Sequence, residues 1–118
     1  MFTDIDLYAG LPVSDYPPAL AWYERVFGSP PTFLASDTEA VWILAEHRSV
    51  YIEQRLMHAG HAMHTILVDD LDALVAQIAD RGLKPTKWET YSKGVRKAIY
   101  HDPDGNALGM GVVPPDAR

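Results

Sequence analysis

Three histidines at equal spacing are the first residues in this sequence whose types suggest chemistry. His58, His61 and His64 recur at every third position of the segment HAGHAMH. On a helix this spacing would align three imidazoles on one side and suggest a metal site. Gly60 and the apolar run that ends at Val68 instead favour a loop followed by a strand. The pattern therefore favours a loop histidine and a packed histidine over a metal cluster.

Two carboxylates offer a second kind of chemistry. Asp6 and Glu53 fall on predicted strands, where they could exchange a proton with a substrate or bind a cationic group. Arg96, on a later strand, is a further polar candidate. Carboxylates alone do not stabilise an enolate, because they lack the positive electrostatic contribution that usually supplies most of the rate. A binding role is therefore favoured over an enzyme that depends on carboxylates only.

Aromatic residues are the third candidate set, and they suit the binding of a flat molecule by stacking. The candidates, all on predicted strands, are Tyr8, Trp42, Tyr51, Trp88 and Tyr100. Core packing or a subunit contact is the competing explanation, and for the two tryptophans it is favoured. Tyr8 and Tyr51 are stronger candidates because the alternation of their strands places both on the same exposed face.

Composition excludes several other functions. The formal charge of −6 argues against binding of a nucleic-acid backbone, which requires clustered Lys and Arg. No apolar run approaches the roughly 20 residues that span a bilayer, and the segment MFTDIDLY does not resemble an export signal, so a cytoplasmic location is expected. The absence of cysteine removes disulfides, thiolate metal sites and cysteine nucleophiles.

The elements that must position these residues come in two copies. Each copy has a strand that ends in Val, an acidic helix N-cap, a helix, a Gly stop, and then a Pro before the next extended run. Ala19 and Ala73, and Gly28 and Gly82, are equivalent at one constant offset. In the second helix Leu71, Leu74, Val75 and Ile78 form a single apolar stripe, with Asp69 or Asp70 as the cap and Arg81 at the C-terminal end.

Extended segments complete each copy. In the first strand Ile5, Leu7, Ala9 and Leu11 alternate with Asp4, Asp6, Tyr8 and Gly10, which is typical of a strand with a helix on one side. Further strands are predicted near 31–36, 40–46, 49–54, 62–68, 84–91, 95–101 and 106–112. The prediction is a single α+β domain over 1–118. It consists of two βαβββ modules, about 1–55 and 61–113, whose sheets form a curved mixed cup with helices on the outer face.

The motifs LPVSD, WYERVFG, VDDLDALVAQIADRG and DPDGN, in this order, resemble the vicinal oxygen chelate superfamily. That group includes glyoxalase I, extradiol dioxygenases, fosfomycin-resistance enzymes and bleomycin-resistance binding proteins. The resemblance extends over nearly the whole chain and implies the fold, but a shared scaffold does not determine the chemistry.

The resemblance also implies where metal ligands would stand. Metal-using members place ligands on the first, fourth, fifth and eighth strands, facing the cup. The corresponding positions here are Tyr8, Glu53 at or near its site, Met63 and Gly109. A phenol, a thioether and a hydrogen are poor ligands for Zn, Mg, Mn or Fe(II), so neither a catalytic metal nor another cofactor is expected. If Met63 faces the cup, His61 shares its side and His64 faces the helices.

The leading interpretation is a non-catalytic binding protein similar to the bleomycin-resistance branch, which sequesters a small aromatic or cationic molecule as a homodimer. One alternative is a metal-dependent lyase or dioxygenase with displaced ligands drawn from Glu53, His61 and His64. Another is a regulatory or self-protection partner whose cup is vestigial. The expected ligand contacts are Asp6, Tyr8, Trp42, Tyr51, Glu53, His61, Met63, Trp88, Arg96 and Gly109.

Overall fold

The computed structural model describes residues 2–118, which form two four-stranded sheets with one α-helix each. The first module contains β1 (Leu7–Val13), α1 (Tyr16–Phe27), β2 (Phe33–Ser36), β3 (Glu39–Ala45) and β4 (Arg48–Gln54). The second contains β5 (Met63–Leu67), α2 (Leu71–Asp80), β6 (Lys87–Thr90), β7 (Arg96–His101) and β8 (Ala107–Val112). Short 3₁₀ turns lie at Leu56–His58, Ser92–Gly94 and Pro115–Ala117.

Both sheets have the same topology. The strand orders are β1-β4-β3-β2 and β5-β8-β7-β6, and in each sheet the first two neighbours are parallel while the other pairs are antiparallel. This confirms the predicted α+β fold of two repeated βαβββ modules. The first strand starts later than the sequence pattern indicates, at Leu7, so that Asp6 lies just before it.

Local signals account for the helix ends. Asp15 is extended before α1, Pro17 stands within the first turn, and Gly28 ends the helix with a left-handed φ of 74°. In α2 the side chain of Asp70 accepts a hydrogen bond of 3.1 Å from the Ala73 N–H, which confirms Asp70 as the cap. No helix within residues 2–118 is long and apolar enough to cross a membrane.

Arg81 stabilises a different helix from the one predicted. Its guanidinium donates to the backbone carbonyls of Arg25 and Val26, at the C-terminal end of α1. These carbonyls have no partner within the helix, and a cation there also interacts favourably with the helix dipole. The side chain therefore joins the modules instead of capping α2.

Equivalent helix positions of the two modules are also one residue further apart in sequence than Ala19 and Ala73 are. The buried residues Tyr16 and Tyr23 of α1 correspond to Leu71 and Ile78 of α2. The cap hydrogen bonds agree, since the carbonyls of Asp15 and Asp70 accept equivalent backbone N–H groups. The shorter offset at the glycines arises because α2 is shorter than α1, with 10 residues against 12.

A buried polar network, here called the Asp102 network, joins the second module to the first. Asp102 Oδ2 accepts hydrogen bonds from Tyr23 Oη of α1 at 2.8 Å and from Asn106 Nδ2 at 2.7 Å. Asn106 also donates to the Pro12 carbonyl of β1 at 2.7 Å and accepts from the Ala62 N–H. Burial, reinforced by the neighbouring Asp102, raises the pKa of Tyr23, which keeps the phenol protonated as a donor.

The same turn makes a second contact with the first module. Asp104 accepts hydrogen bonds from both the backbone N–H and the hydroxyl of Ser14, the residue between β1 and the cap of α1. Within the turn, Asp102 Oδ1 accepts from the N–H groups of Asp104 and Asn106. The DPDGN turn thus connects the modules as well as reversing the chain.

Substitution Tyr23→Phe should destabilise the protein by about 1 to 3 kcal/mol, because it leaves a buried carboxylate oxygen short of one donor. Urea unfolding measures the free energy of unfolding. Tyr91→Phe is the matched control, since Tyr91 donates to Glu89 at the surface and its loss should cost less than about 0.5 kcal/mol. Equal losses in the two variants would contradict a special role for the Asp102 network.

Candidate functional site

The face of each sheet that points away from its helix is here called the cup face. Residues paired across neighbouring strands lie on the same face of a sheet. In the first sheet Tyr8 pairs with Ser49, Gly10 with Tyr51 and Pro12 with Glu53, on the face opposite the buried Leu11 and Ile52. The structure therefore brings Tyr8, Tyr51 and Glu53 together on the cup face, where the alternation pattern places them.

Two tyrosines and a glycine shape this part of the cup. The ring centroids of Tyr8 and Tyr51 are 6.4 Å apart and their planes are inclined by 53°. Tyr51 lies across Gly10, where a Cβ atom would be only 2.6 Å from the Tyr51 hydroxyl oxygen. The absence of a side chain at Gly10 therefore leaves the space that the Tyr51 ring occupies.

A small pocket of about 130 Å³ lies beside Tyr51. Besides the strand residues it is lined by Glu53, Arg55 and His58, so one carboxylate, one guanidinium and one imidazole share it. Sequence reasoning assigned no site role to Arg55 and considered His58 only as a member of the histidine series. Their position directly after a cup-facing strand was the available signal, since residues just past strand ends commonly form binding sites.

In the second sheet a lysine side chain packs over the glycine that stands where metal-using relatives carry a ligand. Gly109 pairs with Thr65 and Ile99 on the cup face. A Cβ atom on Gly109 would lie 2.9 Å from Lys97 Cδ and 3.2 Å from Thr65 Oγ1. The Lys97 side chain thus covers the glycine. Met63 faces the same side and is 78% exposed.

Lys97 belongs to a charged cluster on this sheet. Its Nζ lies 3.5 Å from Glu89, which also contacts Lys87 Nζ at 3.3 Å and accepts a hydrogen bond of 2.7 Å from the Tyr91 hydroxyl. The hydrogen bond from Tyr91, followed by that from Lys87, lowers the pKa of the Glu89 carboxyl. Glu89 therefore stays ionised near neutral pH and balances the lysines.

The residues at the expected metal positions do not fit a divalent ion. Gly109 pairs with Thr65 as Tyr51 pairs with Gly10, so Tyr51, and not Glu53, is the fourth-strand equivalent of Gly109. The four positions hold Tyr8, Tyr51, Met63 and Gly109. Two phenols and a thioether are poor ligands, and the aliphatic stem of Lys97 covers the glycine. Within residues 2–118, no three His, Asp or Glu side chains come together in a way that could hold a metal.

Three of the predicted contacts lie on the other side of their sheets. Trp42 is buried in the core, where it packs on Phe27 and donates to the Ser29 carbonyl. Trp88 pairs with Ala98, a core residue, so it lies on the helix side, partly exposed at the sheet edge. Arg96 also lies on the helix side, where it donates to Asp72 of α2 at 3.0 Å and stands over the Trp88 ring. The expectation that these three contact a ligand in the cup was wrong, and for Trp42 the structure confirms the core packing favoured for it.

Two further candidates lie at the margin of the site. Asp6 contacts His47 Nδ1 at 2.5 Å, in the exposed turn between β3 and β4, and so does not join Glu53 on the cup wall. His61 is exposed in the loop before β5. The pairing of carboxylates proposed for proton transfer is therefore not formed.

His64 connects the two modules instead of facing the cup. It pairs with the buried Leu108, on the helix side of the second sheet, and its Nε2 contacts the Gly10 carbonyl of β1 at 2.8 Å. This carbonyl lies on the free edge of β1, which needs a donor there. His64 therefore cannot join Glu53 and His61 as a metal ligand without breaking this contact.

Comparison with protein-family models agrees with the motifs and the topology. The model of the Glyoxalase/Bleomycin resistance protein/Dioxygenase superfamily matches residues 5–110. The chain belongs to this superfamily. Comparison with curated proteins gives no match.

Two solved structures illustrate what this chain is similar to. The structure of a glyoxalase / bleomycin resistance protein from Catenulispora acidiphila DSM 44928 shares 50% identity, covers 94% of this chain and 100% of its own, and has a TM-score of 0.91. A lactoylglutathione lyase from Agrobacterium tumefaciens shares 14% identity over 93% of this chain and 94% of its own, with a TM-score of 0.73. At that identity the second likeness shows the fold alone.

The contact between Gly10 and Tyr51 can be tested by a double-mutant cycle. Gly10→Ala should destabilise the protein by about 1 to 3 kcal/mol, because the new methyl group overlaps the Tyr51 ring. In a Tyr51→Ala background the same change should cost little, since the space is then empty. Urea unfolding of the four proteins gives the coupling energy, and equal costs in both backgrounds would refute the contact.

Proposed function

We propose that this protein binds a small planar molecule on its cup face and works without a resident metal ion. The observation that carries the proposal is the set of side chains at the four positions where relatives hold metal: Tyr8, Tyr51, Met63 and Gly109. These groups supply ring faces and a soft apolar surface, which suit stacking and shape recognition better than ion coordination. The function is sequestration, with no chemical step.

The tyrosine pair and the adjacent pocket support a ligand with both a flat body and a polar group. Tyr8 and Tyr51 offer inclined ring faces, and Glu53 supplies a carboxylate within the pocket. Arg55 and His58 line the same pocket, so its charge is mixed. A cationic group on the ligand remains a prediction that depends on Glu53, because Asp6 is paired with His47 outside the pocket.

A homodimer would complete the site. The pocket of about 130 Å³ is smaller than the roughly 300–1,000 Å³ typical of ligand sites. Large apolar side chains are also exposed on the two cup faces, among them Tyr8, Phe33, Ile43 and Met63. A second copy that covers them would enlarge and enclose the pocket, and light scattering at micromolar concentration tests its presence. The cytoplasmic location likewise remains a prediction.

Thermal-shift measurements with planar aromatic compounds, in cationic and neutral forms, test the ligand class. A compound at a hundred times its Kd should stabilise the protein by about 2.7 kcal/mol and raise Tm measurably. Tyr51→Leu should weaken all binders, whereas Glu53→Gln should weaken cationic ones about tenfold and leave neutral ones unchanged. Glycopeptide antibiotics belong in the same screen. If no compound raises Tm while a protein partner is captured, the vestigial-cup interpretation replaces this one.

Metal titration tests the absence of a resident ion. Protein treated with a chelator should give no stoichiometric heat with Zn²⁺, Mn²⁺ or Ni²⁺ in calorimetry, because too few nitrogen and oxygen donors converge. Glu53→Gln and His61→Ala serve as comparison proteins and should behave as the wild type does. Tight binding at one ion per chain that either substitution abolishes would favour a metal-dependent lyase or dioxygenase.

A further inference from the structure

A second and larger cavity lies between the two modules. It has a volume of about 790 Å³ and shares no lining residue with the pocket beside Tyr51. Most of its lining comes from β1, the C-terminal end of α1, the end of β3 with the start of β4, and β5 with the residue that follows it. Representative lining residues are Phe27, Leu44, Arg48, Ile66 and Val68. This cavity is here called the groove.

The groove exists because the two modules contact each other in two equivalent places, here called seams, and the contacts differ. One seam is at the DPDGN turn and the other is at segment 44–48. Ala107 pairs with Met63 as Ser49 pairs with Tyr8, so the segment 44–48, which contains the turn between β3 and β4, is the counterpart of the DPDGN turn at 102–106. His47 and Gly105 occupy equivalent places and both have positive φ, 63° and 99°. In the Asp102 network the second turn docks on the first module. The first turn has the same opportunity to dock on the second module.

The side chains needed for that docking are missing. Leu44 stands where Asp102 stands, and Ile78 of α2 stands where Tyr23 stands, so no hydrogen bond can form between them. Glu46 corresponds to Asp104, and Asp69 corresponds to Ser14, the residue that Asp104 contacts. Asp69 carries the same charge as Glu46. The two equivalent contacts between the modules therefore differ: the one at the DPDGN turn is polar and closed, and the one at segment 44–48 is apolar and open.

The groove has the apolar walls of a binding site. Leu7 is 71% exposed and Leu67 is 54% exposed along its lining, and Leu44 is also exposed. Exposed leucines gathered at a concave surface mark a place that a ligand or partner covers. The volume lies within the range usual for small-molecule sites.

Charge identifies the kind of occupant. Arg48 and Arg118 line the groove, and its lining among residues 2–118 includes no Asp or Glu. This contrasts with the chain as a whole, which has 16 acidic and 10 basic residues. Neither arginine forms a salt bridge within the part of the chain that the structure describes. A cationic margin on an apolar cavity complements an anion with an apolar body.

We propose that the groove binds an aliphatic carboxylate, with its hydrocarbon chain along the leucines and its carboxylate at Arg48 and Arg118. Arginine pairs well with carboxylates because its planar fork can donate two parallel hydrogen bonds. The hydrocarbon chain gains by leaving water, in proportion to its length. The groove shares no lining residue with the pocket beside Tyr51, and this proposal does not rest on the function proposed for that pocket.

Calorimetric titration of the full chain with octanoate, decanoate and dodecanoate, below their micellar concentrations, tests the proposal. Saturable binding at one molecule per chain is expected, with affinity rising about three- to fourfold for each added methylene. Decanol and decyltrimethylammonium test the head group, and both should bind at least tenfold more weakly than decanoate. Equal affinity for decanol would overturn the role of the arginines.

Variants separate the groove from other surfaces. Arg48→Met keeps the apolar stem but removes the charge, and it should weaken decanoate about tenfold. Lys84→Met removes one positive charge from an exposed position outside the groove and should change nothing. Leu44→Gln, at an exposed wall position, should weaken all chain lengths and reduce the dependence on length.

Three results would overturn the proposal. These are the absence of saturable binding by any of the carboxylates, unchanged affinity in Arg48→Met, and a dimer that Leu44→Gln dissociates while no carboxylate binds. The last result would mean that a second copy of the chain covers the groove. Failure of the cup screen leaves these measurements unaffected, so the two proposals stand or fall separately.

Discussion

The buried carboxylate of Asp102 holds the two modules of this chain together. Burial of a carboxylate is costly unless its oxygens are fully hydrogen-bonded. Here one oxygen accepts from Tyr23 and the Asn106 amide, and the other accepts from two backbone N–H groups in the same turn. Because Tyr23 lies in α1 and Asn106 reaches the Pro12 carbonyl, satisfying this one group requires the turn, β1 and α1 to meet in a single arrangement.

The position of the cup faces follows from that requirement. With the DPDGN turn seated on Ser14 and Pro12, the end of β1 and the start of β5 lie next to each other, and His64 can reach the Gly10 carbonyl. Side chains, in place of a backbone ladder, thus satisfy part of the free edge of β1. The cup-facing residues Tyr8 and Met63 then occupy equivalent places on the two modules, as the first and fifth strands require.

Residue patterns predict the elements of this fold well because each element carries its own signal. Alternation and motif spacing placed Tyr8, Tyr51 and Glu53 on one face, and the structure places them there. The same reasoning failed for Trp88 and Arg96, because β6 and β7 have no alternation of polar and apolar residues to indicate a face. The pairing of His101 with Ala107 decides it, and that pairing depends on the shape of the turn between them.

Contacts between distant segments were less accessible to sequence reasoning. Nothing in the sequence near Tyr23 indicates Asp102 as its partner, and nothing near Gly109 indicates that Lys97 covers it. Likewise Arg81 has the position of a cation that stabilises its own helix, yet its guanidinium reaches the end of α1. Such choices depend on how two packed layers approach each other, and one-dimensional periodicity does not encode that distance.

The two seams show how a duplicated fold can divide its tasks. Hydrogen bonds between buried groups fix one geometry, because any displacement leaves a polar atom unsatisfied. Apolar contacts are not directional, so the residues Leu44 and Val68 at the other seam do not fix one geometry in this way. At the second seam, Leu44 and Ile78 occupy the positions equivalent to Asp102 and Tyr23. These apolar residues remove the geometric constraint there without removing the fold. The Asp102 network alone therefore supplies the directional contacts that keep the modules aligned at these two turns.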